Sequence, residues 1–440
     1  MYLHWPTAIL SDDLVGDGSS RHGGGLIADL RQLGNVAVRN RARVLSPNET
    51  LARRIRARLR RHLLRLGFQT DADGNLQRPA DSKASVRSLH RLQRLERLRE
   101  NELFLRRCAS GLLPSFADGT DISPTAMEAY IELVKPDTMQ SDLFRMASLL
   151  WSVPVSRGYG RRLRFLVWDK QNEKLMGLIA LGDPPFNQGA RDGHIQWSSS
   201  DREDRLIHLM DAFILGAIPP YNKLLGGKLV ASLVRSQEIV NAFRARYRNS
   251  VGLISKKTKH PSLVAVTTSS ALGRSSVYNR LTLAGTKYFE PIGFTGGWGH
   301  FHVPRDLFED MRRYLALHGH TYPRGYEFGD GPNWRLRTIR AALDMLGFRA
   351  DLLRHGVNRE VFICWMADNS RDILRGVSRR PKYHSLLAAS DISRLARERW
   401  IVPRAARDAS YAEWSRDEIL GPLDWRGVER SYASEQPIEA

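Results

Sequence analysis

Between Asp183 and Arg359 the chain carries residue types from which a reaction or binding centre can be built. The stretch Asp211 to Leu281 reads as strand, Gly-containing turn, helix, loop, strand, small-residue turn and helix. Gly226-Gly227-Lys228 at a helix start offers free backbone N–H groups, the positive end of a helix dipole and a cation, which suits an anion. A packing turn is the other reading of the two glycines. It is no Walker motif, because Gly-x-x-x-x-Gly-Lys-Ser/Thr is absent here. The next turn holds Ser269, Ser270, Arg274, Ser275 and Ser276, enough hydroxyl and guanidinium groups to grip a phosphate or a flipped base; capping and surface polarity are the other reading. Tyr278, Asn279 and Arg280 occupy successive positions, so they do not all face one pocket; Tyr278 is expected to face the site, with Asn279 or Arg280 reading an edge. Asp183, at a strand end, and Asp192 are the carboxylates best placed for general-base work, although each also suits turn capping. His300 and His302 share a strand face, but no third ligand is evident from spacing and no metal is assigned. Trp298, Tyr326 and Trp334 sit in or beside Gly-rich loops, where they stack on bases or anchor the loops. Arg335, Arg354 and Arg359 add phosphate-contact candidates.

Elements must position these residues. Phe213 to Ile218 is an apolar run of strand length stopped by Pro219-Pro220, which cannot donate to a ladder. Leu263 to Thr267 is the next strand, and Ser269-Ser270 suits a following helix cap. Upstream, Leu163–Asp169 and Leu175–Leu181 flank a short polar turn and read as a hairpin. Ser123 is expected to cap a helix to about Val134, and a second helix runs from Gln140 to Trp151. RDGHIQWS reads as a short strand, and residues 201 to 210 as a short polar helix. Downstream come a strand, a Gly-rich bend and another strand. A helix follows at Leu307 to His318, then a last buried strand at Glu360 to Ala367.

The charge narrows the partners. Lysine plus arginine number 67 against 47 acidic residues, a net charge of +20 that favours polyanions, nucleic acid first. The excess is clustered: Val36 to Arg107 holds 19 basic and 7 acidic residues, +12 of the total. Leu51, Ile55, Leu59, Leu63 and Leu66 stripe one helix there, ringed by Arg53, Arg54, Arg56, Arg58, Arg60, Arg61 and Arg65. A hairpin-like turn and a second basic helix, Ser85 to Cys108, complete a module that either contacts DNA or packs as a bundle on its own neighbour. No stretch approaches a membrane span, the start lacks a secretory pattern, and two distant cysteines suit a reducing compartment, so a cytoplasmic protein is expected. The expected divisions are a flexible arm (1–35), the basic helical module (36–120), a central α/β core (121–375) and a helical C-terminal segment with a tail (376–440).

The run from about Trp151 to Asn369 resembles the DruA family, named for a component of Druantia anti-phage systems. The strings are GYGRRLRFLV, GLIALGDPPF, MDAFILGAIPPYNKLLGGKLVA, TTSSALGRSSVYNRL, GFTGGWGHFH, GDGPNWRLR and LLRHGVNREVF. The resemblance implies bacterial defence against phage beside other proteins, and names no reaction. The element order also resembles the GNAT acyltransferase fold, implying a mostly antiparallel mixed sheet with flanking helices. In that family a strand-to-helix loop, Arg/Gln-x-x-Gly-x-Gly/Ala, binds the pyrophosphate of acyl-CoA. Here Asn222 stands at the first position, Leu225 at the second, and Gly227 alone matches, with Gly226 beside it. Tyr278 matches the tyrosine that protonates the leaving thiolate. Two functions follow as expectations: a defence protein that binds DNA and transfers a small group to a nucleobase, or a non-catalytic DNA-binding adaptor. A nuclease is a third.

Overall fold

The computed structural model describes residues 47–70, 76–77, 82–155, 160–251, 258–297, 299, 303–322, 334–348, 350–353 and 357–434. The expected arm at 1–35, together with Trp298, His300, His302, Tyr326 and Arg354, lies outside the described residues.

Seven strands build one mixed sheet: β1 (Ala129–Leu133), β2 (Arg162–Asp169), β3 (Lys174–Gly182), β4 (Leu209–Ala217), β5 (Ala265–Ser269), β6 (Glu290–Phe294) and β7 (Glu360–Trp365). Their order is β6-β7-β5-β4-β3-β2-β1, and every pair is antiparallel except β4 with β5. The hairpin read from alternation is β2–β3, with Leu163 opposite Leu181. A parallel neighbour needs a crossover, which here contains α7 (Gly226–Leu233) and α8 (Gln237–Tyr247). Alternation along β3 sends Ile179 and Leu181 to the face covered by α7, α8 and α11 (Ala389–Ala396), and a bulge at Met176 turns that side chain to the same face. Leu178 and Ala180 go to the face covered by α4 (Glu102–Leu112) and α5 (Met139–Ser148).

Three local expectations are corrected. The segment expected to be a helix from Ser123 to Val134 supplies edge strand β1. Its Ala-Tyr-Ile-Glu-Leu run pairs with β2 over five registers, and that tertiary ladder overrides weak helix propensity. RDGHIQWS is not a strand. It contains α6 (Gly189–Ile195), closed by Gln196 in the left-handed region at φ 67°. No helix begins at Ser269-Ser270. Residues 270–281 are turns ending in a 3-10 turn, Tyr278–Arg280. Gly273 is left-handed at φ 82°, and Ser275 Oγ accepts from the N–H of Val277 (3.2 Å) and Tyr278 (3.1 Å), so the side chain takes donors that would open a helix.

The basic region splits between two packing partners. Helix α1 (Pro47–Arg65) buries the expected stripe, Leu51, Ile55, Leu59, Leu63 and, just beyond its end, Leu66. That stripe shares one core with α9 (Arg305–Leu317) and α10 (Trp334–Met345), which are inserted between β6 and β7. Arg54 pairs with Asp310 at 3.1 Å, and Arg58 pairs with both Asp306 and Asp310. The second basic helix is broken into α2 (Lys83–Leu89), α3 (Arg91–Glu100) and α4. At the α3–α4 break, Asn101 donates to Arg97 O (2.6 Å) and accepts from Arg145 Nε (2.8 Å). Helix α12 (Trp425–Ser434) then covers α3: Arg91 lies 4.8 Å over Tyr432, Arg94 donates to the Tyr432 hydroxyl (3.2 Å), and Arg99 stacks on Trp425 (4.7 Å) and pairs with Glu429. These arginines hold the C-terminal segment rather than facing solvent as a set.

Candidate functional site

Strands β4 and β5 pair over three registers only, Leu209–Asp211 against Ala265–Thr267. Beyond that they diverge. An extra residue in β4, Phe213, shifts its register against β3 and bends the strand away. The freed edge of β4 is met by side chains. Thr268 Oγ1 donates to Ala212 O (2.8 Å), and the Tyr278 hydroxyl makes a long bond to Leu215 O (3.4 Å). Phe213, Leu215, Gly216 and Ala217 remain part-exposed along the split. The Tyr278 ring is wedged against Phe289 (5.0 Å between centroids) and Phe362 (5.3 Å). Burial pushes its hydroxyl up to about 12.

One carboxylate belongs to this split that sequence reasoning used only as the edge of a strand. Asp211 accepts from Thr267 Oγ1 at 2.6 Å. Protein packed around its carboxyl pushes it up to about 6, against the Thr267 bond and the Arg191 charge, which pull it down. A lone Asp within an apolar strand, LMDAFILGA, is the signal that could have singled it out. The folded chain holds this proton more tightly than the unfolded one. That contribution is therefore full below about pH 4 and is lost as pH rises through about 6. Asp211→Asn removes the loss: relative to the parent, the variant gains about 2 kcal/mol between pH 4 and pH 7.5, discounted from the full shift because the residue is part-exposed. Urea unfolding at the two pH values checks this, and a pH-independent difference would contradict it.

The glycine pair sits where the sequence placed it. A 3-10 turn, Tyr221–Leu224, leads through Leu225 in the left-handed region (φ 60°) into α7. Gly226 is buried, whereas a Cβ on Gly227 would meet nothing within 4 Å. Burial lowers Lys228, and the charges of Arg280 and Arg399 act in the same direction, so three cations converge at this helix start. The Lys228 ammonium lies 5.5 Å over Trp400. The loop does not suit acyl-CoA. Leu225 carries a side chain where the GNAT pattern has Gly, Asn222 replaces the Arg or Gln, and Gly226 is already closed on Tyr221.

The remaining candidates are scattered. Asp183 is engaged by Arg161 through its Nε (2.7 Å) and its backbone N–H (2.9 Å). Asp192 is held by the fully buried Arg191 (2.7 Å) and by Arg202 (3.4 Å). Arg274, Ser276 and Arg280 are exposed on the turn before and at Tyr278. Asn279 is tied to Glu360 Oε2 (2.9 Å) and Ser275 O (2.8 Å). Trp334 donates to Tyr322 O (3.0 Å) and packs on Phe308, as a loop anchor does. Arg335 donates to Val303 O (2.8 Å) and lies 4.5 Å over the Phe308 ring. Arg359 reaches His90 Nε2 (3.3 Å); burial pushes His90 down to about 4, which leaves it a neutral acceptor. The Nε of Arg359 is buried with no acceptor among the described residues. Among the described residues no three His, Cys, Asp or Glu side chains are grouped to hold a metal ion. On α1, Arg53 and Arg60 are exposed with no carboxylate partner among the described residues. Arg56 donates to Leu346 O (2.8 Å) and Arg61 to Ala57 O (3.4 Å), both through Nε.

Fold and site together define a mixed α/β protein with a split, mostly antiparallel sheet and flanking helices. No helix among the described residues is long and apolar enough to cross a membrane. The chain belongs to the DruA family: the family described as Druantia protein DruA matches residues 80–376. It is 50% identical over 367 residues to the Druantia protein DruA of Escherichia coli (strain UMEA 4076-1), covering 83% of this chain and 91% of that one. No solved structure matches it.

Proposed function

We propose that this chain is the DruA component of a Druantia anti-phage system, acting in the cytoplasm beside other defence proteins by binding DNA. The observation that carries the DNA reading is the division of labour on α1. Arg54 and Arg58 are neutralised by Asp306 and Asp310, while Arg53, Arg56, Arg60 and Arg61 have no carboxylate partner among the described residues. A helix turns 100° per residue, which puts Arg53, Arg60 and Arg61 on the face opposite the Ile55–Leu59 stripe, with Arg56 at its edge. Guanidinium groups with no carboxylate partner on one solvent face suit phosphate. The core is read as GNAT-like on its single parallel pair, the β4 bulge and the helix that starts where the strands part. With the loop unsuited to acyl-CoA, it works as a DNA-binding scaffold. Titrating duplex DNA against the full chain at several salt concentrations tests this. Tight binding that ignores salt, or no binding at low salt, would sink it.

A transferase reading is kept for one reason. Asp211 accepts from Thr267, and Thr268 and Tyr278 donate to backbone carbonyls of β4, so polar groups line the split, with a carboxyl poised near 6. There Tyr278 would give a proton to the leaving group as a small group passes to a nucleobase. Nucleoside mass spectrometry of DNA from cells carrying the system, with and without Tyr278→Phe, decides. A new nucleoside that vanishes in the variant establishes transfer; an unchanged profile with defence retained leaves the binding reading alone.

A further inference from the structure

Where β4 ends, on the face covered by α5, lies a cavity of about 230 Å3. Its walls include Trp151, Ile218, Pro219, Asn222, Trp414 and Ile419. Trp151 lies flush on the strand: a Cβ on Gly216 would stand 3.3 Å from its Cζ2, so the glycine gives the indole room to form this wall. Trp414 forms another wall beneath Lys223, whose ammonium sits 5.7 Å from the ring and donates to Ser410 O (3.0 Å). The Trp414 Nε1 is buried with no acceptor among the described residues. Asn222 is exposed. Its backbone N–H is committed to Ile218 O (3.0 Å), and its amide has no partner among the described residues. Among the described residues no carboxylate and no cation lines the cavity, while a lysine stands just outside it.

This chemistry selects a flat, uncharged ring with a donor and an acceptor side by side. Indoles supply stacking surface, aliphatic side chains exclude water, and one amide presents paired donor and acceptor. An Asn amide meets the edge of adenine in that way, and base-on-aromatic stacking is strong. The volume is below that of a drug-sized site, so one ring system fits while a sugar and phosphate stay outside, near Lys223. We propose that the cavity receives a single unstacked purine base, read by Asn222 and stacked on tryptophan. The base comes either from a DNA strand or from a free nucleotide. The first source rests on the DNA-binding reading; the second does not.

Photo-cross-linking of the full chain tests it with three probes: a single-stranded oligonucleotide carrying one 8-azidoadenine, the same strand in duplex, and free 8-azido-AMP. Labelled peptides are mapped by mass spectrometry, and strand affinity is followed in parallel by filter binding. The expected result is label on the peptides of Trp151 or Trp414. Labelling falls by about tenfold in Asn222→Ala and in Trp151→Phe, while total strand affinity changes little. Asn222 is exposed on a short turn, so its variant reports on reading rather than folding. Label from the oligonucleotides identifies a strand base, and label from azido-AMP alone identifies a free nucleotide. If strands fail to bind but azido-AMP marks the cavity, the DNA reading falls and the cavity assignment stands. Label that lands elsewhere, or that is indifferent to Asn222→Ala, overturns the assignment even when DNA binds tightly.

Discussion

On the proposed DNA-binding reading, exchanging Arg53, Arg56, Arg60 and Arg61 together for glutamine is expected to weaken duplex binding on the order of a hundredfold near 0.1 M salt. The slope of log affinity against log salt falls by about three. Each phosphate contact contributes about 0.9 to that slope, and Arg56, whose Nε is tied to Leu346 O, is counted as a partial contributor. Glutamine keeps the stem and the helix propensity, so α1 should remain folded. The matched control is Arg54→Gln with Arg58→Gln. Those two side chains are already neutralised by Asp306 and Asp310, so their loss acts on the α1–α9 contact and leaves the salt slope nearly unchanged. Identical slopes for the quadruple variant and the parent would move the DNA contact off α1 altogether. Arg280, Arg399 and Lys228 at the start of α7 would then be the next set to neutralise.

Gly226→Ala is expected to destabilise the fold by roughly 3 kcal/mol, and Gly227→Ala to be neutral or to stabilise it by up to about 1 kcal/mol. The added Cβ at Gly226 would stand 2.6 Å from Tyr221 O. That carbonyl cannot retreat, because the fully buried Tyr221 ring is fixed by its hydroxyl, which meets Asp169 (3.3 Å) and Asn172 (3.0 Å). At Gly227 the Cβ enters open space on a helix, where Ala is the better residue. Urea unfolding of the two variants gives the comparison. Equal effects would show that the turn yields more easily than its contacts imply. If Gly227→Ala keeps full stability yet loses anion affinity, the second glycine serves close approach of a ligand rather than the turn.

The parts of this fold legible in sequence were those with strong local periods. The β2–β3 hairpin, β4 with its proline stop, the Leu51–Leu66 stripe and the glycine turn before α7 all lie where alternation, 3.6-residue spacing and turn residues place them. Strand β1 was misread because Ala126 to Val134 has no strong local preference, and its partner β2 lies some thirty residues away. The turn before Tyr278 was misread because a row of serines suits a helix cap and a loop equally; Ser275 settled it by binding two successive N–H groups. Charge was the least legible quantity. Counting arginines located the basic region, but composition does not separate Arg53 from Arg54, or reveal that Arg91, Arg94 and Arg99 are spent on Tyr432, Trp425 and Glu429. Of the residues at the split, the sequence singles out Tyr278 as a candidate and passes over Asp211. A carboxyl gains its character from the protein folded around it.

The shared core of α1, α9 and α10 has a consequence for synthesis. Arg65 closes α1, and 240 positions pass before Arg305 opens α9. At about 5–20 residues per second, the apolar stripe of α1 leaves the ribosome roughly ten seconds to a minute before the surface that covers it. For that interval only Phe68, Val86 and Leu89 of the same core are at hand to cover Leu51, Ile55, Leu59 and Leu63, and the surrounding arginines oppose association of the nascent helix with its neighbours. The basic ring of α1 thus has work to do before the chain is complete, independent of any polyanion it later meets.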